Sequence, residues 1–339
     1  MNINERIELI KRNTDEIITE EELKKLLEKK KKPVVYWGTA PTGKPHVGYF
    51  FPALKMADLI KAGFKVKVLL ADLHAALDNT PWNILEKRYE YYAKVIPLMI
   101  KSIGVDATDL EFVKGSDFQL KPEYTHDVLE LSSLVSVHGA HKAASEVVKL
   151  GDNPRLSGLI YPIMQVMDEQ YLEVDAQLGG TDQRKIMVLA RENLPKLGYE
   201  KRIEIINPLI PGLIGKKMSA SDEKSKIDLL DSLETVKQKI NSAECVAGEV
   251  DNGVMAFLKY VLMVIKKDKK EKFVIKRPEK YGGNVDYVDY ESLEKDFKAK
   301  KIHPLDVKNA LAEEIYKLLE PIQKDKKTYE LAKIAYPEK

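Results

Sequence analysis

Residues 39–49, TAPTGKPHVGY, bring small, basic and imidazole side chains between an apolar strand pattern and a helix pattern. Ligands of open parallel sheets bind at the carboxyl ends of strands, where the next helix offers free backbone N–H groups to an anion. His46 would donate a hydrogen bond to a phosphate oxygen, and Lys44 would add a positive charge. Gly43 and Gly48 would let the backbone approach a base or a phosphate closely. The segment therefore indicates a phosphate site, and an ordinary strand-to-helix turn is the alternative interpretation.

A second basic segment, KKMSAS at residues 216–221, lies in a stretch rich in glycine, serine and lysine. The stretch covers residues 212–229 with little apolar periodicity, which predicts a long loop. Loops of this length inside compact domains are usually functional or disordered. Lysines that close over a polyphosphate would stabilise the charge developing on a departing pyrophosphate. A solvated lysine loop is the alternative.

Three polar side chains share one face of a predicted helix, because Tyr161, Gln165 and Asp168 are spaced i, i+4 and i+7. Such a face is unusual for core packing and favours a binding role. Asp182 and Gln183 follow the next predicted strand, after a Gly-Gly pair that permits a tight turn. We expect both to project toward the same cleft at the carboxyl edge of the sheet. For Asp182 alone, a helix cap is an equally good interpretation.

Metal-binding patterns are weak in this sequence. Asp72 and His74 follow the second predicted strand, but no third ligand stands near them, so we interpret the pair as a hydrogen-bonded turn. Cys245 is the only cysteine, which excludes an internal disulfide and a zinc site built from the thiolates of one chain. We therefore predict no protein-bound metal site.

Apolar strand patterns alternate with amphipathic helix patterns through the first two thirds of the chain. The predicted strands cover residues 33–38, 66–71, 110–113, 174–178 and 203–206. This β-α-β order predicts an α/β fold with a Rossmann-like, doubly wound parallel sheet. Consecutive helix patterns at 123–136 and 141–150 indicate a helical insertion into that sheet. Helix patterns predominate after residue 232, so we expect an all-α C-terminal domain.

Composition limits the class of protein. The 339 residues are 44% hydrophobic and 32% charged with a mean hydropathy of -0.32, which is typical of soluble globular chains with about two domains. No apolar run approaches the ~18 residues of a membrane helix, and the N-terminus is charged, so we expect a cytoplasmic protein without membrane contact. The formal net charge of +2 does not by itself indicate nucleic-acid binding, whereas residues 266–280 hold eight basic against three acidic residues.

The predicted divisions are N-terminal helices at 1–32, the α/β domain at 33–228 and the helical domain at 229–339.

Several stretches together resemble one family from about residue 5 to residue 322. They are YWGTAPTGKPHVGY, ADLHA, SGLIYPIMQVMDEQYL, GGTDQRK, KMSAS and FVIKRPEKYGG. On these motifs the chain resembles the tyrosyl-tRNA synthetases of the archaeal and eukaryotic cytosolic branch, which are class I aminoacyl-tRNA synthetases. HVGY at 46–49 is similar to the HIGH signature of that class, and KMSAS is similar to its KMSKS signature. The pair, in this order and with the 161–171 helix between them, makes the resemblance specific.

The resemblance implies an enzyme that activates L-tyrosine with ATP and transfers the tyrosyl group to tRNA(Tyr). Mg²⁺ would accompany the nucleotide. The family forms homodimers through the helical insertion, here about residues 110–150. The phenol hydroxyl of tyrosine would be bound by Tyr36 and Asp168. Its amino group would be held by Tyr161, Gln165 and Gln183.

The nucleotide and tRNA contacts are also implied by the resemblance. ATP would meet Gly38, Thr42, His46, Gly48, Asp182 and Lys217. The catalytic residues would be His46, Lys217, Ser219 and Ser221. The helical C-terminal domain would be the anticodon-binding domain, with contacts from Tyr281, His303 and Asp306.

Two positions depart from the family signatures. Tyr49 stands at the last position of HIGH, and Ala220 replaces the second lysine of KMSKS. The charge missing at residue 220 is expected to come from Lys216, Lys224 or a metal ion.

Three alternatives belong to other classes of protein or substrate. A nucleotidyltransferase that makes a dinucleotide would not require a helical C-terminal domain or the pairing of Tyr36 with Asp168. Tryptophanyl-tRNA synthetase binds an indole, for which an acidic side chain beside a phenol is less suitable than for a hydroxyl. An inactive RNA-binding paralogue is disfavoured because His46, Lys217 and Gln165 are all present.

Overall fold

The computed structural model describes residues 1–148, 150–213 and 226–337. The chain divides into two compact units, each assembled from separate stretches. The first unit comprises Met1–Thr42, Lys55–Ala93 and Ala107–Leu209. The second unit comprises Gly43–Leu54, Lys94–Asp106 and Ile210–Lys339. The domain limits at residues 32 and 228 stay predictions, because they divide the chain into contiguous pieces and these units do not.

A six-stranded sheet forms the centre of the first unit. Its strands are β1 (Glu16–Ile18), β2 (Val34–Thr39), β3 (Lys65–Leu70), β4 (Leu110–Lys114), β5 (Ala176–Gly180) and β6 (Ile203–Asn207). The order across the sheet is β1-β6-β5-β2-β3-β4, with β1 antiparallel to β6 and the other pairs parallel. The predicted doubly wound, Rossmann-like sheet is confirmed. The sequence patterns do not predict β1, which is only three residues long.

Helices account for most of the remaining described residues. They are α1 (Ile3–Lys11), α2 (Glu20–Lys29), α3 (Phe50–Lys61), α4 (Asp72–Leu77), α5 (Leu85–Ser102), α6 (Ser116–Gln119), α7 (Pro122–Leu134), α8 (Val137–Ala144), α9 (Leu156–Tyr171), α10 (Arg184–Asn193), α11 (Leu233–Ser242), α12 (Gly253–Phe257), α13 (Met263–Lys269), α14 (Tyr290–Lys298), α15 (Pro304–Gln323) and α16 (Lys326–Ala335). Short 3₁₀ turns lie at Val47–Tyr49, Trp82–Ile84, Thr181–Gln183, Leu194–Leu197 and Glu279–Tyr281. A π-helical turn, Leu258–Leu262, joins α12 to α13.

The helices of the predicted insertion are present, but one of them is displaced along the sequence. Helix α8 begins at Val137 instead of at residue 141 and ends at Ala144. The Ser136 side chain sets this start, because its hydroxyl accepts a hydrogen bond of 3.0 Å from the backbone N–H of Gly139.

Helix α9 packs its apolar side chains against the sheet. Ile163, Val166 and Met167 are buried in one cluster with Tyr36 of β2. Asp168 follows this apolar run and is only 1% exposed, so the helix carries a carboxyl group into the core above the sheet. Helix α9 contains the predicted face of Tyr161, Gln165 and Asp168, and its position explains how Asp168 approaches β2.

The second unit is helical as predicted but not all-α, because it also contains a small sheet. Strands β7 (Phe273–Ile275) and β8 (Val285–Tyr287) pair antiparallel. The sequence analysis does not predict this hairpin, because strands of three residues carry too little alternation to be recognised. Among the residues that the structure describes, no helix is both long and apolar enough to cross a membrane.

Candidate functional site

A cavity of about 240 Å³ opens in the first unit at the carboxyl ends of β2 and β5. The chain order reverses between these neighbouring strands, and such a switch point is where open α/β sheets bind ligands. The cavity brings together every residue predicted to contact tyrosine: Tyr36, Tyr161, Gln165, Asp168 and Gln183. Gly38 and Asp182, two of the predicted ATP contacts, also line it. Thr42 is not among the described lining residues.

Asp168 provides a hydrogen-bond acceptor on the wall of this cavity. Its Oδ1 accepts a hydrogen bond of 2.7 Å from Gln119 Nε2 and one of 2.8 Å from the Tyr124 hydroxyl. Burial raises the pKa of Asp168 to about 7, although the two hydrogen bonds act in the opposite direction. Both donors occupy Oδ1, so Oδ2 is the oxygen that a ligand hydroxyl would approach. Nε2 of His74 lies 3.7 Å from Oδ2.

The Tyr36 hydroxyl lies in the same cavity with its hydrogen-bonding capacity unused. The side chain is 1% exposed, and its oxygen has no hydrogen-bond partner among the described residues. A phenol hydroxyl can both donate and accept, so Tyr36 and Asp168 together could bind one further hydroxyl group. Burial also raises the Tyr36 pKa, which keeps the phenol neutral.

Two amides form a second polar wall. Gln165 Nε2 on α9 donates a hydrogen bond of 3.1 Å to Gln183 Oε1, which lies beyond the carboxyl end of β5. Strand β5 ends in Gly179 and Gly180 just before these side chains, and a Cβ on Gly179 would come within 2.6 Å of the Met187 methyl. A Cβ on Gly180 would come within 2.6 Å of an Asp182 carboxyl oxygen. The Gly-Gly pair thus leaves room for the polar side chains that follow it.

Three further polar residues at this site are missing from the sequence-based assignment. Gln119 and Tyr124 bind Asp168, and His74 lines the cavity. Gln119 and Tyr124 lie in the helical insertion, far from the site in sequence and without a motif, so no sequence signal marks them. The sequence analysis interprets His74 only as part of a turn, whereas it lies in the short helix α4. Burial lowers the pKa of His74 to about 4, so its ring is neutral at pH 7.

His46 lies in the second unit, where it caps the 3₁₀ turn Val47–Tyr49. Its Nδ1 accepts a hydrogen bond of 3.1 Å from the Gly48 backbone N–H. Burial lowers the His46 pKa to about 4, with Lys226 contributing in the same direction. A neutral ring whose Nδ1 accepts must carry its proton on Nε2. His46 therefore offers an N–H donor, as predicted for a phosphate contact, but not a positive charge.

Other predicted residues differ in how much the structure says of them. Lys217, Ser219 and Ser221 lie outside the described residues, and so do Lys216, Ala220 and Lys224. The Thr42 carbonyl accepts a hydrogen bond from the Arg88 guanidinium, which holds the turn that follows β2. Lys44 lies 3.8 Å from Asp228 in the second unit, so a carboxylate already accompanies its charge.

The predicted anticodon contacts lie on the second unit. Tyr281 is 63% exposed at the end of its 3₁₀ turn. His303 caps α15 with its imidazole, and Asp306 lies in the first turn of that helix. Arg277 donates hydrogen bonds of 3.0 Å to the carbonyls of residues 283 and 301. Arg277 therefore connects the segment that carries Tyr281 with the segment that leads into His303.

One group of described residues has metal-ligating atoms close together. It consists of His126, Asp127 and Glu130, whose candidate ligand atoms lie within 4.8 Å of one another. The Asp127 carboxylate accepts hydrogen bonds from the hydroxyls of Tyr171, at 2.9 Å, and Tyr199, at 2.6 Å. These hydrogen bonds give Asp127 a structural role, and we assign no metal to the group.

Comparison with known proteins identifies the relatives of this chain. Residues 28–320 match the family described as tRNA synthetases class I (W and Y). The chain is 53% identical to the cytoplasmic tyrosine–tRNA ligase of Danio rerio, over 99% of this chain and 64% of that protein. It is 44% identical to the tyrosine–tRNA ligase of Haloarcula marismortui, over 100% of this chain and 99% of that protein. The chain thus spans about two thirds of the fish relative and nearly the whole archaeal one.

A solved structure extends the similarity to the fold. The tyrosyl-tRNA synthetase from Archaeoglobus fulgidus, complexed with L-tyrosine, superposes with a TM-score of 0.88 at 39% identity. The match covers 95% of this chain and 99% of that one. The similarity inferred from the motifs is therefore confirmed in both sequence and structure.

The hydrogen bonds to Asp168 lead to a prediction about its titration. Tyr124→Phe removes one donor to the carboxylate, so it should raise the pKa of Asp168 above about 7 by roughly one further unit. Difference infrared spectroscopy of the carboxyl C=O stretch as a function of pH would measure this change. Tyr171→Phe is the matched control, since its hydroxyl binds Asp127 instead. The same Asp168 titration in both variants would contradict the assigned role of Tyr124.

Proposed function

Because this chain belongs to the class I tRNA synthetases, and within them to the tyrosine–tRNA ligases, we propose that it activates L-tyrosine with ATP and transfers the tyrosyl group to tRNA(Tyr). The observation that carries the choice of tyrosine is the cavity in which Tyr36 and Asp168 both reach the interior. The relatives from fish and yeast are named as cytoplasmic ligases, and we assign this chain to the cytoplasm on that basis.

The polar groups of the cavity suit the two ends of tyrosine. Asp168 Oδ2 would accept the substrate phenol O–H, and the Tyr36 hydroxyl would donate to the phenol oxygen. At the other end, Tyr161, Gln165 and Gln183 would hold the ammonium group through oxygen acceptors. A site that binds a hydroxyl in this way excludes phenylalanine and tryptophan, because either ligand would leave buried polar groups unpaired.

The reaction requires little acid–base chemistry from the protein. The tyrosine carboxylate attacks the α-phosphorus of ATP in line, and pyrophosphate leaves. A ribose hydroxyl of the tRNA then attacks the carbonyl carbon of the adenylate and releases AMP. As in other phosphoryl transfers, positioning and electrostatic stabilisation would supply most of the rate enhancement.

The nucleotide contacts are proposed on the family resemblance and on local chemistry. His46 would donate its Nε2–H to a phosphate oxygen, and the Gly48 backbone would pack close to the nucleotide. Asp182 would accept hydrogen bonds from the ribose. Gly38, Thr42 and Lys217 complete the proposed ATP contacts, and Ser219 and Ser221 would act with Lys217 on the pyrophosphate. Mg²⁺ would arrive as part of the Mg–ATP substrate, since this ion is often bound through substrate phosphates.

Measuring pyrophosphate exchange with each of the twenty amino acids would test the proposed activity. Exchange with tyrosine alone would support it. Exchange with tryptophan would favour tryptophan as the substrate, and no exchange with any amino acid would favour a nucleotidyltransferase or an inactive RNA-binding paralogue.

The hydroxyl contacts lead to a prediction about specificity. Replacing Tyr36 with Leu and Asp168 with Gly removes both partners of the phenol hydroxyl and opens space at the para position. The preference for tyrosine over phenylalanine in pyrophosphate exchange should fall by at least about 100-fold, the size expected for two missing hydrogen bonds. Tyrosine analogues with a bulkier para substituent should become substrates. A folded double variant that kept the wild-type preference would show that other residues recognise the hydroxyl.

The second unit would bind the anticodon through Tyr281, His303 and Asp306. Part of the basic segment 266–280 is unsuited to binding phosphates, because Lys266 is buried and its Nζ lies 2.7 Å from Glu314 and 3.1 Å from Glu271. Two other lysines of the segment are paired with acidic groups outside it: Lys272 with Asp286 and Lys276 with Glu313. The proposed phosphate contacts are therefore the exposed lysines near Tyr281 and at the end of α13.

Neutralising two of these exposed lysines tests the proposed tRNA surface. Lys270→Gln combined with Lys280→Gln should reduce the slope of log K against log salt concentration by about two, because each variant side chain leaves one phosphate without its cation. Fluorescence titration of tRNA at several salt concentrations gives the slope. Lys326→Gln with Lys333→Gln, on helix α16, is the control pair. Equal slopes for the wild type and the Lys270 and Lys280 variant would reject the surface.

We also propose a homodimer formed through the helical insertion at about residues 110–150. The support is an exposed apolar surface on the insertion, which we call the insertion face. It consists of Leu120, Leu129, Leu134 and Val137, which are between 46% and 74% exposed. Several large apolar side chains exposed on one part of a folded protein can mark an interface.

A charge placed on the insertion face should prevent dimerisation. Leu129→Glu would place an unpaired carboxylate in an apolar interface, so sedimentation or light scattering should show a monomer at concentrations where the wild type is a dimer. Ile334→Glu on α16 is the control, because Ile334 is also exposed but lies outside the insertion. A monomeric wild type, or a dimer unaffected by Leu129→Glu, would contradict the proposal.

A further inference from the structure

One row of paired residues across the sheet is polar where a buried parallel sheet is normally apolar. Tyr36 on β2 pairs with Gln177 on β5, and Gln177 pairs with Glu204 on β6. Their exposed fractions are 1%, 3% and 0%. Paired residues on adjacent strands direct their side chains to the same face. The row therefore extends from the phenol hydroxyl in the cavity to a carboxyl group deep in the core.

A second buried carboxyl group approaches this row from helix α9. Glu169 follows Asp168 and is 1% exposed. Neither of its carboxyl oxygens has a hydrogen-bond partner among the described residues, and the same holds for Glu204, for the Tyr36 hydroxyl and for Gln177 Oε1. Four neighbouring side chains thus hold polar atoms that the described protein groups leave unpaired. These residues take no part in the reaction proposed above, apart from Tyr36.

On the other side of Tyr36 the same row continues to Lys67 on β3, whose Nζ donates to the Leu172 carbonyl at 2.7 Å. The charged and titratable groups that act on the two carboxyls lie on several neighbouring elements. They are Asp168 on α9, Tyr36 on β2, Arg202 beside β6, Arg191 on α10 and Glu22 on α2. Burial raises the pKa of Glu169, and Asp168 raises it further, whereas Arg202 and Arg191 lower it. Burial and Glu169 raise the pKa of Glu204 against the same two arginines.

Both arginines donate to other acceptors, although Arg202 Nε is buried without a partner among the described residues. Arg191 Nη2 donates to both carboxyl oxygens of Glu22, at 2.9 and 2.8 Å, and its Nη1 donates to the Ile18 carbonyl. Arg202 Nη2 donates to the Gln170 side chain at 2.8 Å. Neither guanidinium forms an ion pair with Glu169 or Glu204 among the described contacts. Two ionised carboxylates here would therefore be buried charges that receive no hydrogen bond from the described groups, which is strongly unfavourable.

We propose that Glu169 and Glu204 remain protonated and that this neutral pair keeps the hydrogen of the Tyr36 hydroxyl directed toward the substrate phenol. The two glutamates are then positioning residues, because they act on the substrate through Tyr36. The inference rests on the proposed recognition of tyrosine and adds a condition to it.

The condition follows from the direction of hydrogen bonds. A phenol has one hydrogen, which it donates to Asp168, so its oxygen needs a donor from Tyr36. An ionised Glu169 would attract the Tyr36 hydrogen and turn it away from the cavity. The substrate would then meet two acceptors and no donor, and the advantage of tyrosine over phenylalanine would decrease.

The test measures kcat/KM in pyrophosphate exchange for tyrosine and for phenylalanine and takes the ratio of the two values. The measurements run from about pH 6 to about pH 9, because this range includes the raised pKa of Glu169 at about 8. The ratio cancels the titration of ATP, of the amino group and of the nucleotide contacts. It does not cancel that of Asp168, whose pKa is about 7, so the decline is judged as the difference between the wild type and Glu169→Gln, in which Asp168 titrates as well. In the wild type it should fall by about tenfold on the alkaline side, the size of one missing hydrogen bond. Glu169→Gln is permanently neutral and nearly isosteric, so its ratio should be independent of pH on the alkaline side.

Two further variants separate positioning from a general effect on the fold. Tyr36→Phe should also remove the alkaline decline, because no hydroxyl is left to turn. Glu111→Gln is the matched control, since Glu111 is a half-buried carboxylate on β4 that pairs with Lys65, and its variant should keep the decline. Retention of the decline in either Glu169→Gln or Tyr36→Phe would overturn the proposal.

Stability gives an independent measurement. Groups whose pKa is raised by folding stabilise the protein at low pH and lose that contribution as pH rises through the folded-state pKa. The free energy of unfolding of the wild type should therefore decrease with rising pH relative to that of Glu169→Gln, and parallel curves would overturn the proposal.

A wild type that does not activate tyrosine would refute the proposed function instead. Activation of tyrosine with a ratio that is flat across the pH range would refute only the role of the glutamates.

Discussion

Parallel pairing between β2 and β5 is the interaction on which the site depends. These strands are far apart in sequence, and their pairing brings the residues that follow each of them to one edge of the sheet. It also fixes Tyr36 beside Gln177, so the hydroxyl reaches the cavity from the floor while α9 carries Asp168 over it. A shift of one residue in this register would turn Tyr36 to the opposite face of the sheet and remove it from the cavity.

Asp168 and Glu169 show how neighbouring positions on one helix acquire different chemistry. Both carboxyls are buried, which disfavours their charged forms and raises the pKa of each. Asp168 receives two hydrogen bonds from Gln119 and Tyr124, and these favour the ionised acceptor that a phenol needs. Glu169 receives none from the described residues and faces a second glutamate. The difference between the two acids therefore lies in their hydrogen bonds: Asp168 has donors that support an acceptor, whereas Glu169 has none among the described residues.

The sequence predicts those parts of the structure that depend on short-range patterns. The parallel strands and α9 follow from apolar periodicity, and the convergence of Tyr161, Gln165 and Asp168 follows from helical spacing. Gln183 is placed correctly because the carboxyl-end rule applies to any residue that follows β5.

The parts that could not be predicted depend on tertiary contacts. Gln119 and Tyr124 reach Asp168 only because α6 and α7 pack beside α9, and no local pattern encodes that packing. Strand β1 exists because β6 offers an edge to it, whereas its own three residues carry no recognisable alternation. The row from Tyr36 to Glu204 becomes visible only when strand register is known, since each of its members looks like an isolated polar residue in a strand. Buried polar networks of this kind are therefore the features that a sequence reveals least and a structure reveals most. Here they surround the groups that would distinguish the para hydroxyl of tyrosine from the para hydrogen of phenylalanine.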